Sequence, residues 1–191
     1  MTTHFTREEQ ELLLRTAREI IKAKLNNETF LSPTLVDLPQ KLQENGACFV
    51  TLTKKGILRG CVGSIAAIQP LIIDVQDRAL AAAFQDYRFP PLSPTELDEI
   101  LIEISCLTSP AKLEYQTPEE LPKLLRPDID GVILSYQTRR ATFLPQVWEK
   151  LSTPELFLDR LCQKMGLDQS LWRREILTVE IYQVVKFVEE V

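Results

Sequence analysis

One histidine, His4, occurs in 191 residues. That scarcity removes most chemistry built on a buried imidazole: a Ser-His-Asp triad, a Cys-His dyad, or a histidine metal site. Metal and nucleotide signatures are missing too, with no H-E-x-x-H, no G-x-G-x-x-G and no Walker loop, so neither a metal nor another cofactor is expected. No C-x-x-C pairs the four cysteines, Cys48, Cys61, Cys106 and Cys162, which argues against a structural zinc site and reads as free thiols of a reducing compartment. No apolar run approaches bilayer length, the longest being of the kind Ala79 to Phe84. The first thirty residues are interrupted by Arg7, Glu8, Glu9 and Glu11, unlike a secretory segment, so the expected location is cytoplasmic, without a membrane partner. An excess of basic charge is lacking as well. The net charge of −5 disfavours a protein devoted to gripping nucleic acid. Internal repeats and low-complexity segments are absent.

What is present is ordinary globular material, 45% hydrophobic and 26% charged. Thr6-Arg7-Glu8-Glu9 reads as a capping box opening a helix to about Leu25, with Leu13, Ala17, Ile20 and Ile21 on one stripe. Ala47–Thr53 and Ile57–Val62 read as strands joined by Lys54-Lys55-Gly56. Pro70 fits the first turn of a helix reaching about Gln85. Ser93-Pro94-Thr95-Glu96 and Thr117-Pro118-Glu119-Glu120 repeat the cap pattern before short helices, and Ile100–Leu107 reads as a strand between them. Gly131–Tyr136 and Ala141–Leu144 predict a second hairpin. Thr153-Pro154 opens a helix that Gly166 closes. Ile176–Val188 alternates in a way that predicts one long half-buried strand. Tight turns require antiparallel pairing, so the predicted class is α+β with a mainly antiparallel sheet flanked by helices.

The densest chemical candidate is Leu58-Arg59-Gly60-Cys61-Val62-Gly63-Ser64. Strand alternation places Arg59 and Cys61 on one face, where a guanidinium would favour the reactive thiolate. Gly60 and Gly63 would clear room for a ligand against the backbone, and amides up to Ser64 could supply an oxyanion site. The alternative is a buried, inert Cys61 with glycines relieving a tight bend or bulge. Asp86 and Arg88, in a loop stiffened by Pro90-Pro91, could orient a polar ligand or simply pair with each other. Glu103 and Ser105 share a face of an otherwise apolar strand. There Glu103 is either a half-buried proton carrier or a charge turned to solvent. The doublets Arg139-Arg140 and Arg173-Arg174 could meet phosphate, with solvated loop charge as the alternative. Trp148 and Trp172 read as core.

These blocks carry a resemblance. Leu58 to Ser64, the D-x-R-F-P-P segment from Asp86 to Pro91, Ile104-Ser105-Cys106-Leu107, Gly131-Val132-Ile133-Leu134, Ala141 to Trp148 and the helix end from Leu161 to Gly166 occur in an order similar to that of the AMMECR domain family. Family members in bacteria and archaea are called AmmeMemoRadiSam system protein A. The resemblance spans about residues 45 to 187. It implies a single domain over 1–191 made of two unequal subdomains. The larger is drawn from both ends of the chain, the smaller from inserted segments, and the implied cleft lies between the two, near the R-G-C block. Arg59, Gly60, Cys61, Gly63, Asp86, Arg88 and Ser105 match family motif positions; Glu103 does not. The resemblance itself supplies no reaction; read from the residues, the expected function is an enzyme or enzyme subunit using Cys61 and Arg59, in that cleft, on a small polar or anionic molecule. Gly60, Gly63, Ser64, Asp86, Arg88 and Ser105 would bind the substrate. A Memo-like metal-binding protein and a radical SAM enzyme are the implied partners. A non-catalytic adaptor for proteins or nucleic acid is the alternative.

Overall fold

The computed structural model describes residues 5–190, so the lone histidine at position 4 lies outside the described residues. The chain forms two units. One comprises residues up to Thr108 together with those from Val185 on, and the other is Ser109–Val184.

In the first unit, helix α1 (Arg7–Asn26) begins as its capping box dictates. The Glu9 amide donates to Thr6 Oγ1 at 3.2 Å and the Thr6 amide to Glu9 Oε2 at 2.8 Å. A single helical turn, α2 (Gln40–Gln43), leads into β1 (Asn45–Lys54) and β2 (Ile57–Gly63). Lys55 and Gly56 both have positive φ, 51° and 76°, as a two-residue hairpin turn of the primed type requires. The short β3 (Gln69–Pro70) pairs with the start of β1. Helix α3 (Leu71–Phe84) and β4 (Ile100–Leu107) follow, with a 3-10 turn over Pro94–Glu99 between them.

The second unit holds β5 (Ala111–Lys112), the single-turn α4 (Leu121–Leu124), β6 (Gly131–Tyr136), β7 (Arg139–Phe143), α5 (Pro154–Lys164) and β8 (Thr178–Tyr182), with sheet order β5-β8-β6-β7. Its core centres on Trp148 stacked on Phe157, ring centroids 3.8 Å apart, and Trp172 is buried with them. Thr153 caps α5, and Gly166 closes it at φ 77°. After β8 the chain returns to the first unit as β9 (Val184–Val188).

The predicted single strand over Ile176–Val188 is therefore two strands in two different sheets. The alternation continues through the break, and sequence periodicity carries no information about which partner each half pairs with.

The first sheet runs β2-β1-β4-β9, with β1 antiparallel to both β2 and β4. One face is apolar: Cys48, Val50 and Leu52 of β1 and Ile102, Ile104 and Cys106 of β4 are sealed against Ile72, Val75, Ala79 and Ala82 of α3 and Leu13, Ala17 and Ile21 of α1. The small residues of α3 allow close approach. A Cβ placed at Gly60 would lie 2.2 Å from the Ala82 carbonyl oxygen. No helix among the described residues is long and apolar enough to cross a membrane.

Candidate functional site

The second face of this sheet is different in kind. Register places Cys61 of β2 opposite Thr51 of β1, and Thr51 opposite Glu103 of β4. Lys186 of β9 reaches Glu103 from the far side, Nζ to Oε1 3.5 Å. Ser105, two residues along from Glu103 and buried, donates to Glu103 Oε1 at 3.4 Å. A row of thiol, hydroxyl, carboxylate and ammonium thus crosses the sheet from edge to edge. The Thr51 hydroxyl donates to Cys61 Sγ at 3.2 Å. Cys61 is half-buried, whereas Cys48, Cys106 and Cys162 are fully buried. Burial pushes the Cys106 thiol up to about 12 and drives Cys48 and Cys162 upward as well, which leaves those three poor nucleophiles.

Cys61 is also held by its backbone. Paired with Thr51 but lying on the edge strand, it turns its N–H and C=O away from β1. The Cys61 amide donates to Asp86 Oδ2 at 2.9 Å, and Arg88 Nη2 donates to the Cys61 carbonyl at 3.1 Å. The two clamping side chains bind each other through Arg88 Nε to Asp86 Oδ1 at 2.8 Å and Nη2 to Oδ2 at 2.6 Å. This carboxylate–guanidinium pair takes the place of a neighbouring strand, satisfying the edge that would otherwise be open. The Arg88 guanidinium, then the Cys61 and Arg88 amides, holds the Asp86 carboxyl well below the usual carboxylate range. Between the two clamping residues, Tyr87 points out and is 96% exposed.

Arg59 does not take the place that alternation gives it. The pairing shifts between Leu52 and Thr53, so that Gly60 pairs with Leu52 and Leu58 with Thr53, leaving Arg59 as the extra residue of a bulge. Its guanidinium turns to Glu96, with Nε to Oε1 at 2.9 Å and Nη2 to Oε2 at 3.1 Å, and to the Pro91 carbonyl at 3.4 Å. The Arg59 guanidinium, ahead of the Ser93 amide and hydroxyl, holds the Glu96 carboxyl low. The cation is thus spent on the turn before β4, not on the thiol.

Nor is the space at the glycines open. Gly60 lies under the Ala82 carbonyl, and a Cβ at Gly63 would meet the Phe49 ring at 2.2 Å. The Ser64 hydroxyl faces the buried Asp74, 3.1 Å from Oδ2, and Asp74 also accepts the Cys48 amide at 2.9 Å. Elsewhere, Arg140 pairs with Glu180, Arg173 with Asp159 and Arg174 with Asp168, while Arg139 caps the carbonyls of Met165 and Gly166. Among the described residues, no group of three or more His, Cys, Asp or Glu side chains is placed to hold a metal ion. Sequence reasoning missed Thr51 and Lys186. Each stands at a polar position of an alternating strand, but only the cross-strand register for Thr51, and the ion pair with Glu103 for Lys186, put them in a row with Cys61.

Two antiparallel sheets with flanking helices define an α+β protein, and the AMMECR1 family model matches residues 14–187. The chain belongs to the AMMECR1 family. It is 38% identical to a protein of Thermofilum pendens over 95% of this chain and 90% of that one, and 35% identical to protein MK0488 of Methanopyrus kandleri over 100% and 93%. It is also similar to the crystal structure of the uncharacterised protein PH0010 from Pyrococcus horikoshii. There the TM-score is 0.77 at 33% identity, covering 97% of this chain and 94% of that one.

Proposed function

We propose that the chain is an enzyme or enzyme subunit in which Cys61 acts as a nucleophile on a small polar or anionic molecule lying along the second face of the first sheet. The observation that carries this reading is the position of Cys61. It is the half-buried thiol of the four, it accepts a hydroxyl hydrogen bond, and its peptide group is fixed on both sides by Asp86 and Arg88. A rigid backbone beneath a nucleophile removes the entropy of positioning it. Arg59 has a structural part, tying the bulge of β2 to Glu96. The family resemblance supports action in the cytoplasm beside a Memo-like protein and a radical SAM enzyme.

The test is thiol reactivity with the fold intact. Iodoacetamide near neutral pH should modify Cys61 well before the other three cysteines, read residue by residue by mass spectrometry. A metabolite capture with wild-type protein against Cys61→Ser should then lose its ligand in the variant. Slow, uniform labelling of all four thiols would replace this reading with the adaptor alternative, which the exposed apolar side chains Leu31, Val36, Ile65 and Ile68 favour.

A further inference from the structure

The polar row ends in a charged pair that the cysteine reading leaves unexplained. Glu103 and Lys186 are joined at 3.5 Å by one contact, with 33% and 49% of their side-chain surfaces exposed. The Lys186 ammonium has three donors, and the carboxylate accepts one further hydrogen bond, from Ser105. Both side chains are partly exposed and keep hydrogen-bonding capacity that these two contacts do not use. Glu103 stands on the same face as Cys61, because Cys61, Thr51 and Glu103 are in register across β2, β1 and β4, and Lys186 reaches Glu103 from β9. Two strand spacings, about 10 Å, separate the backbones of Cys61 and Glu103, and side chains leaning over that face narrow the gap.

Resting on the reading of Cys61 as a nucleophile, we infer that Glu103 and Lys186 form the recognition end of the site and select a small zwitterion of amino-acid type. Charge balance drives the choice. A simple anion at Lys186 would stand beside the Glu103 carboxylate and be repelled by it. A simple cation at Glu103 meets the same difficulty with Lys186. A molecule carrying both an ammonium and a carboxylate puts each opposite its complement and leaves no half-buried charge unpaired. The Ser105 hydroxyl steadies the Glu103 oxygen that faces Lys186. A ligand of this size, held at its charged end, presents a carbon a few bonds away to the Cys61 sulfur.

The experiment uses alkylation of Cys61 by reagents of different charge in the full chain. The reagents are iodoacetamide (neutral), iodoacetate (anionic), bromoethylammonium (cationic) and α-amino-γ-bromobutyrate (zwitterionic). In each case sulfur forms a bond to carbon as halide leaves and the thiol proton passes to buffer. Each rate is divided by the rate of the same reagent with N-acetylcysteine, which cancels intrinsic reactivity. The zwitterion should be preferred over iodoacetamide by about tenfold. Glu103→Gln and Lys186→Met should each abolish that preference, read as the ratio of normalised zwitterion to iodoacetamide rates within the same variant, whatever the absolute iodoacetamide rate. Normalised rates equal across the reagents, or a preference for iodoacetate, would overturn the inference while leaving the nucleophile in place. If iodoacetamide itself fails to single out Cys61, the nucleophile reading falls instead. Recognition is then read in Cys61→Ser from thermal stabilisation by free amino acids at millimolar concentration. A shift that their N-acetyl amides do not reproduce, and that Lys186→Met loses, supports the zwitterion site; no shift refutes it.

Discussion

Replacing Asp86 by alanine tests the clamp on which the site stands. The carboxylate does two jobs: it accepts the Cys61 amide at 2.9 Å and anchors Arg88, whose Nη2 reaches the Cys61 carbonyl. Removing it orphans an amide on an edge strand. An unsatisfied donor costs about 1–3 kcal/mol, and the half-burial of Cys61 places the loss near 1–2 kcal/mol. Nothing is added for Arg88, 42% exposed, because water re-solvates it. With a urea m-value of about 2 kcal/mol/M, the midpoint should fall by about 0.5–1 M. Asp86→Asn keeps an acceptor oxygen and should lose less than half as much. Both tryptophans, Trp148 and Trp172, lie in the second unit, so tryptophan fluorescence reports on that unit. The assay must be far-UV circular dichroism with amide exchange at Cys61, which should quicken by about tenfold. An alanine variant with an unchanged midpoint and unchanged exchange would show that the pair is incidental to the strand edge, and a variant in which asparagine is as damaging as alanine would show that charge alone matters.

Stability should fall with acid between about pH 4.5 and 2. The unfolded carboxyls of Asp86 and Glu96 titrate near 4, and the folded ones below that. The unfolded chain therefore takes up protons first, and the stabilisation present at higher pH is lost; Asp86→Asn with Glu96→Gln should flatten that part of the profile measured by urea melts. Gly60→Ala forces a methyl to within 2.2 Å of a backbone oxygen, and should cost about 2–3 kcal/mol and lower Tm by about 5–10 °C in a far-UV melt. Gly63→Ala should be rescued only in part by Phe49→Ala, since the nearest obstacle there is that side chain while the Cys48 carbonyl oxygen, 2.7 Å from the added Cβ, stays in place; a double variant no more stable than the single would refute the Phe49 contact. Arg59→Ala should lower stability while leaving the iodoacetamide rate of Cys61 within about twofold of wild type, because its charge goes to Glu96; a large fall in rate would restore it to the thiol.

How much of this could be read beforehand depended on the range of the interaction. The caps at Thr6 and Thr153 and the Lys55-Gly56 turn are local chemistry, and they were legible. So was the sharing of one strand face by Glu103 and Ser105. The face of Arg59 was not: Gly60 and Gly63 allowed for a bulge in this block, but not for its place, and the register shift beside Gly60 takes Arg59 out of the alternation. Gly60 and Gly63 suggested empty space, yet Ala82 and Phe49 fill it, from α3 and from β1. The Asp86–Arg88 motif was visible as a pair, but its target, a peptide group 25 residues earlier, belongs to the topology.

The passage from β8 into β9 also bears on how the protein is made. Emerging from a ribosome, the first unit has α1, α3 and three main strands in hand by Thr108, but β4 waits for β9 until some seventy-six further residues have been synthesised. During that interval Arg18 lacks Glu189, which in the finished molecule binds its Nε at 2.6 Å and accepts the Ile102 amide at 2.9 Å. The nascent chain therefore carries an open strand edge through the whole synthesis of the inserted unit, a period in which pairing with the wrong partner is its chief hazard.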